Sequence, residues 1–412
     1  MRSMGKLLAI TSALSVATLL SACGGDSAPQ TVGSVAPPTG GTPTPTHSFE
    51  TPTETKTYDA IGVVQNYQYN TRSDGNGQSG QLYAGDANTA RNGGITVTYN
   101  PRDAIFELTI NRPLGNVSVP AFRFQDPAHR TNFGGALEPQ AGVPQLATSK
   151  NIQYLEAGSS TGARLSAGST YYNSGAAQSD YPVGSAGYSS TTQTLFYQKP
   201  GTTTKYVTYA GFVRNTVSAT EQQDSSTSPM YLRQTYSLDR AAFVFGERTS
   251  NSAVPTTGSG TYTGEMIATV AFNPALDTDP SAPTYFQWIE GSHTTNVNFA
   301  TLGVVSNFTG TVKAPALDAY TSGAFYLPAG STFTATAGAT IDLVNKGGFT
   351  GNFSVARFVR PGLPDFVIVI AGSSMDGAFF GPNGQELGGG FRIVGGTPDE
   401  RIDILGAFTG KK

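Results

Sequence analysis

The chain contains a single cysteine, Cys23, in 412 residues. Beyond that position there is no disulfide, no cysteine-based metal site and no thiol nucleophile. Stability must therefore come from burial and sheet hydrogen bonds. Charge is also scarce: 13% of residues are Asp, Glu, Lys or Arg, and the formal net charge is −3. A nucleic-acid partner is excluded, because phosphate recognition needs clustered basic side chains. Histidine is rare. His47, His129 and His293 are widely separated, and scattered histidines do not make a metal site. No metal or resident cofactor is expected. No amphipathic helix longer than a few turns is visible, and no apolar run after Leu20 approaches the length of a membrane span.

What the chain does have begins at its start. Arg2 and Lys6 form a short positive segment, followed by the uncharged, largely apolar stretch Leu7 to Leu20 and then Leu20-Ser21-Ala22-Cys23. Charge, apolar run and small residues before a cysteine, in that order, read as a lipoprotein signal peptide over residues 1–22. Cleavage would leave Cys23 to carry lipid and hold the chain to a membrane. Residues 23–56 include Ala36-Pro37-Pro38-Thr39-Gly40-Gly41-Thr42-Pro43. They offer nothing to bury and are expected to form a disordered tether. Position 24 is Gly rather than Asp, which favours the outer membrane over inner-membrane retention.

The remainder reads as all-β. The chain has 50 Gly, 19 Tyr and 23 Phe, a composition suited to strands joined by tight turns. Residues 57–240 form a first β-rich region. Ile95 to Tyr99 and Ala104 to Ile110 alternate as a hairpin across the turn Asn100-Pro101-Arg102-Asp103. Further strands are expected at Thr194 to Gln198, Tyr206 to Asn215 and Met230 to Leu238. Residues 156 to 192 are rich in Ser, Gly, Tyr and Ala and read mostly as a long loop, the kind that often carries function. Residues 241–412 repeat one theme of strand then turn. Strands are expected at Gly260 to Phe272, His293 to Phe299, Val304 to Lys313, Thr332 to Ala337, Ala339 to Leu343, Gly348 to Ala356, Ser373 to Phe380, Glu386 to Val394 and Ile402 to Gly410. About eight regularly spaced antiparallel strands predict a closed barrel or a sandwich, and closure would leave no sticky edge. Without aromatic girdles or a uniform apolar outer face, it is not expected to be a membrane barrel.

Catalytic signatures fall away on inspection. Gly158-Ser159-Ser160-Thr161-Gly162 fits G-x-S-x-G, but it lacks a strand-to-helix setting and a nearby histidine. Gly75-Asn76-Gly77-Gln78-Ser79-Gly80 fits G-x-G-x-x-G with no βαβ pattern after it. Asp277-Thr278-Asp279 lacks the further oxygen ligands of a calcium loop. The chain is not expected to be an enzyme. Tyr285-Phe286-Gln287-Trp288-Ile289 holds the only Trp. It reads either as a barrel strand or as a loop-tip aromatic patch that anchors a partner, with Trp288 the candidate contact.

Several ordered motifs in the C-terminal part resemble a known family. Phe243-Val244-Phe245-Gly246 leads through Pro255-Thr256-Thr257-Gly258 to Gly260-Thr261-Tyr262-Thr263-Gly264. Then come Ser306-Asn307-Phe308-Thr309-Gly310, Gly347-Gly348-Phe349-Thr350-Gly351, Gly377-Ala378-Phe379-Phe380-Gly381-Pro382-Asn383-Gly384 and the terminal Gly406-Ala407-Phe408-Thr409-Gly410. Over about residues 240 to 412 the chain resembles the transferrin-binding protein B-like surface lipoproteins. The resemblance implies a lobe made of a β-rich handle, here residues 57–240, and an eight-stranded barrel, here 241–412. It implies a surface-exposed lipoprotein that binds an iron- or haem-related ligand and passes it to an outer-membrane TonB-dependent receptor. A surface lipoprotein assembly modulator would carry it across the outer membrane. The motifs are turn and strand geometry, so no binding residue is carried over from the family. If the ligand is haem, a loop His or Tyr could be its axial ligand, and His129, Tyr171 and Tyr172 are the candidates. The alternative is a structural or interaction lipoprotein that stays in the periplasm.

Overall fold

The computed structural model describes residues 46–72, 79–82, 90, 94–111, 121–125, 143, 146–161, 188–273, 285–313, 327–395 and 401–412. Three antiparallel sheets account for the architecture. The first contains β1 (Lys56–Asp59), β4 (Ile95–Asn100), β5 (Ile105–Ile110) and β6 (Phe122–Gln125), in the order β1-β4-β5-β6. The expected hairpin is present as β4 and β5, which pair from Ile95 with Ile110 to Asn100 with Ile105. The second sheet has the order β3-β2-β10-β9-β8-β7. Its strands are β2 (Ile61–Arg72), β3 (Ser79–Leu82), β7 (Ile152–Thr161), β8 (Tyr188–Gln198), β9 (Val207–Gln222) and β10 (Tyr231–Gly246).

The third sheet is the barrel. Its strands are β11 (Ser259–Asn273), β12 (Tyr285–Asn298), β13 (Gly303–Val312), β14 (Thr332–Asp342), β15 (Gly348–Val359), β17 (Ile370–Phe380), β18 (Glu386–Gly395) and β19 (Arg401–Lys411). The two-residue β16 (Phe366–Val367) pairs with β15 only. β19 joins β11 on one side and β18 on the other, and β14 pairs with β15 along Thr332–Asp342. These pairings close eight antiparallel strands into a ring. Inside, Phe308, Phe333, Phe349, Phe353, Phe358, Phe379, Phe391 and Phe408 fill the core with Met266, Met375 and aliphatic residues. Outside, β13 presents Val305, Asn307, Thr309 and Thr311 while Val304, Ser306, Phe308 and Val312 are buried. An apolar interior behind a largely polar outer wall is the reverse of a membrane barrel.

The six-stranded sheet is buried on both faces over part of its length. In β10, Ala241, Phe243 and Phe245 pack against the four-stranded sheet. The alternate residues Leu238, Ala242 and Val244 pack against the outside of the barrel. The period of two that places side chains on opposite faces thus gives two cores, and the run Leu238 to Phe245 is buried throughout. The barrel answers in kind. Ile267, Ala271, Leu405 and Ala407 face the sheet, while Met266, Ala268, Val270, Ile404 and Phe408 face the interior.

Several sequence expectations are revised. β10 continues to Gly246 within the second sheet, so the sheet runs past the expected boundary at 240. Residues 46–55 are not wholly tether, because Phe49 is buried edge-on against Tyr58 and Phe245. Residues 156–161 and 188–192 belong to β7 and β8 rather than to a loop. The stretches read as separate strands around 285–289 and 293–299 are one strand, as are 332–337 and 339–343.

Candidate ligand-binding end

The barrel has two unlike ends. Antiparallel order sends alternate connections to opposite ends. At one end the links are tight: 299–302, 343–347 and 381–385. At the other, three are longer, 274–284, 313–331 and 360–369, and the fourth, 396–400, is as short as the tight links. Long connections on a rigid frame are where binding residues usually sit, so the second end is the candidate recognition surface. Its described parts include residues 327–331 and the hairpin of β15 and β16. Arg357 forms an ion pair with Asp365 at 3.4 Å, and the Arg360 guanidinium stacks 5.7 Å from the centre of the Phe366 ring. Val359, Leu363, Val367 and Val369 are exposed around them.

The six-stranded sheet points the same way. Val244 approaches Gly388 near the tight-turn end. Arg240, earlier in the same strand, reaches Thr269 and Asp403 toward the opposite end. The strand therefore starts, at Tyr231, still further toward the long connections. There the described side chains Thr191, Thr216, Ser218, Thr220, Arg233 and Thr235 are half-buried or exposed. The connection 162–187 of β7 and β8 and the turn 223–230 of β9 and β10 leave the sheet at this end.

Buried charge fixes the angle between sheet and barrel. Arg240, fully buried, donates from Nη1 to Thr269 Oγ1 at 2.6 Å and from Nη2 to the Asp403 carbonyl at 3.3 Å; its Nη2 lies 3.6 Å from Asp403 Oδ2. Arg392 clamps the same carboxylate, Nη2 to Oδ2 at 2.9 Å and Nε to Oδ1 at 3.2 Å. At the tight-turn end Glu386 accepts the backbone N–H groups of Lys205, Tyr206 and Val207 at 2.7, 2.8 and 3.2 Å. Burial raises its pKa, and these donors pull in the opposite direction. At the interface edge Glu265 accepts from Tyr209 Oη at 2.9 Å and from Gln198 at 3.1 Å, with Lys150 Nζ at 3.2 Å. Burial and the Glu265 carboxylate push the Tyr209 hydroxyl well above its ordinary pKa. These groups hold orientation, and Arg240, Arg392, Asp403, Glu386 and Tyr209 are buried.

The sequence-level candidates divide sharply. Cys23, His129, Tyr171 and Tyr172 lie outside the described residues. Trp288 is 1% exposed, near the start of β12, with its ring 5.4 Å from Phe196 of the six-stranded sheet in an edge-to-face contact. The loop-tip reading of Trp288 is therefore corrected: strand pairing with Thr269 carries it into the contact between sheet and barrel. His293 is buried inside the barrel. Its Nε2 lies 3.0 Å from the Thr409 carbonyl and its Nδ1 2.9 Å from Thr295 Oγ1. Burial lowers its pKa to about 4, so the ring is neutral. Among the described residues no group of three or more His, Cys, Asp or Glu could hold a metal ion.

Comparison with known proteins bears on the barrel. Residues 254–412 match the family described as the C-lobe and N-lobe β barrels of Tf-binding protein B. The barrel domain belongs to the transferrin-binding protein B-like family. No curated protein matches the chain. Among solved structures, transferrin-binding protein B of Haemophilus parasuis Hp5, as a Tyr-to-Ala, Trp-to-Ala double mutant, is 12% identical. The match covers 85% of this chain and 77% of that one, with a TM-score of 0.28. Intact Ap-TbpB, with N and C lobes, is 12% identical over 86% and 79%, with a TM-score of 0.29. The isotype 1 protein of serogroup B Neisseria meningitidis is 12% identical over 88% and 77%, with a TM-score of 0.26. Family membership rests on the match over 254–412 and the fold on the strand order, not on these superpositions. The family match begins at Val254, just before β11, so it covers the barrel and leaves the two preceding sheets outside it.

Proposed function

We propose that the chain is a lipid-anchored lipoprotein of the outer membrane, displayed at the cell surface, that binds a ligand and does not catalyse a reaction. The ligand is an iron- or haem-related protein or small molecule, captured at the long-connection end and passed to an outer-membrane receptor. One observation carries this reading: a barrel of the Tf-binding protein B family with three long connections at one end and only tight ones at the other. A frame of this kind favours recognition by loops, since the charged groups at the sheet–barrel contact are committed to one another. Cys23 is the lipidated residue in this reading. His129, Tyr171 and Tyr172 remain the candidates for a haem contact.

The test is to purify the lipoprotein from its native membrane, identify what accompanies it, and scan its absorbance for haem. Binding to iron-loaded transferrin and to haem is then measured separately. Retention of either, with slower growth of a deletion strain on limiting iron or haem, supports the proposal. A deletion with no uptake defect and a pulldown with no ligand would favour the periplasmic scaffold.

A further inference from the structure

We infer that the tight-turn end of the molecule lies against the anionic lipid surface to which the chain is tethered, with Leu302 and Val344 entering the headgroup layer. The inference deepens the lipid-anchor reading and rests on it.

The first observation is where the tether arrives. Residue 46 is the first described residue. Just after it, His47 Nε2 lies 3.8 Å from Glu247, whose carboxylate also holds Lys56 Nζ. The Glu247 carbonyl accepts the N–H of Gly381 in the tight link 381–385 at 2.9 Å, and a Cβ on Gly201 would overlap the Glu50 carboxylate. The incoming segment is thus stitched to the tight-turn end. As the expected tether, the stretch from Cys23 to residue 46 would have a root-mean-square span of about 30 Å. This end is therefore the one held near the bilayer.

The second observation is what that end exposes. The tight links are bound together: the Ile341 N–H donates to Leu302 O at 2.8 Å, and Asn251 donates to Leu343 O at 2.6 Å. From this ring project Val344, 92% exposed, and Leu302, 46% exposed. Leu302 has φ of 58°, the left-handed region that favours Gly or Asn. Its side chain is neither buried nor suited to its backbone, so folding alone does not account for an apolar residue there. Lys205, Lys346, Lys411 and Lys412 are exposed at the same end; the acids there are Glu50, Glu54, Asp59, Glu247 and Asp342, of which Glu247 is held by Lys56 and Asp342 by Asn345 in its own turn. Apolar tips ringed by lysine stems suit an interfacial membrane contact.

A consequence is orientation: the long connections face away from the lipid. The test uses the full acylated chain in vesicles of phosphatidylethanolamine and phosphatidylglycerol. Because the acylated chain has no free thiol, Val344→Cys and Val367→Cys each accept one environment-sensitive fluorophore; Val367 is 58% exposed at the opposite end. The label at 344 should shift to shorter wavelength and be quenched by lipid-borne quenchers. The label at 367 should keep its aqueous emission, and Lys346→Glu combined with Leu302→Asp should reverse the shift at 344. If the protein floats with the vesicles but both labels report water, the surface contact is wrong and the anchor stands. If it does not float, or mass spectrometry finds Cys23 unmodified, both readings fall.

Discussion

Strands β11 and β13 lie two places apart in the same barrel and are written differently. In β13 the residues Val304, Ser306, Phe308, Gly310 and Val312 are buried and their neighbours are exposed. In β11 every residue from Met266 to Phe272 is buried. One wall of the barrel has water outside it, and the other has a second protein layer. The docked wall accommodates charge only where a partner crosses the contact, as Arg240 crosses to Asp403. The free wall carries Thr and Asn without special provision. The difference teaches that docking converts an outer strand face into a core, with the packing demands of a core.

Three measurements would sharpen or break that contrast. The largest effect is expected from Asp403→Ala on the docked wall. It strips the carboxylate shared by two buried guanidinium groups and should cost about 3–5 kcal/mol in chemical unfolding. A loss below about 1 kcal/mol would mean that those charges are balanced elsewhere. The next effect concerns the interior behind both walls. His293 has a folded pKa of about 4 against an ordinary 6.5, so the unfolded chain takes up the proton first. Stability is unaffected by this residue above about pH 6.5, declines as pH falls from there toward 4, and by pH 4 has lost about 3 kcal/mol. His293→Gln should lack this component, so unfolding curves of the two proteins at pH 7 and pH 4.5 should converge at the acid end. A pH-independent difference between them would refute the buried neutral ring. The smallest effect belongs to the free wall. Val305, 48% exposed, should tolerate Ala within about 0.5 kcal/mol, whereas Ile267→Ala on the docked wall should cost about 2–5 kcal/mol.

These two kinds of wall also explain what the sequence reveals. The alternation of β13 is legible because water enforces it. The barrel's strand theme follows from that alternation and from regular turn spacing, whereas its closure, which spacing left open against a sandwich, is implied by the family resemblance. Glycine misleads in mid-strand. Gly291 reads as a break in Tyr285 to Phe299, yet it sits within β12 where a Cβ would come 2.1 Å from the Thr309 carbonyl. Gly338 splits β14 on paper too, although a Cβ there would meet nothing within 4 Å; it lies next to the irregularity at Thr336 and Ala337. Charge misleads too. Asp239-Arg240 reads as a strand end, although both side chains are buried in mid-strand. The useful signal was charge embedded in apolar runs, as in Phe391-Arg392-Ile393 and Ile402-Asp403-Ile404. Parts of β7 and β8 looked like loop because their residues from 156 to 161 and from 188 to 192 are small and polar, with no apolar alternation to read. Trp288 was ambiguous because a buried contact between layers and an exposed anchor use the same residue type.

The last strand, β19, pairs with β11 and with β18 and also carries Asp403, Leu405 and Ala407 into the contact with the six-stranded sheet. The ring cannot close, nor the layers seat, until residues 401–411 have been made. Pairing β11 with β19 joins segments more than a hundred residues apart, and contacts so distant in sequence form slowly. In the proposed route of export, where the chain would thread through a membrane unfolded, this delay would be protective. The final strand would then act as a timer that keeps the polypeptide pliable until its whole length is ready to leave.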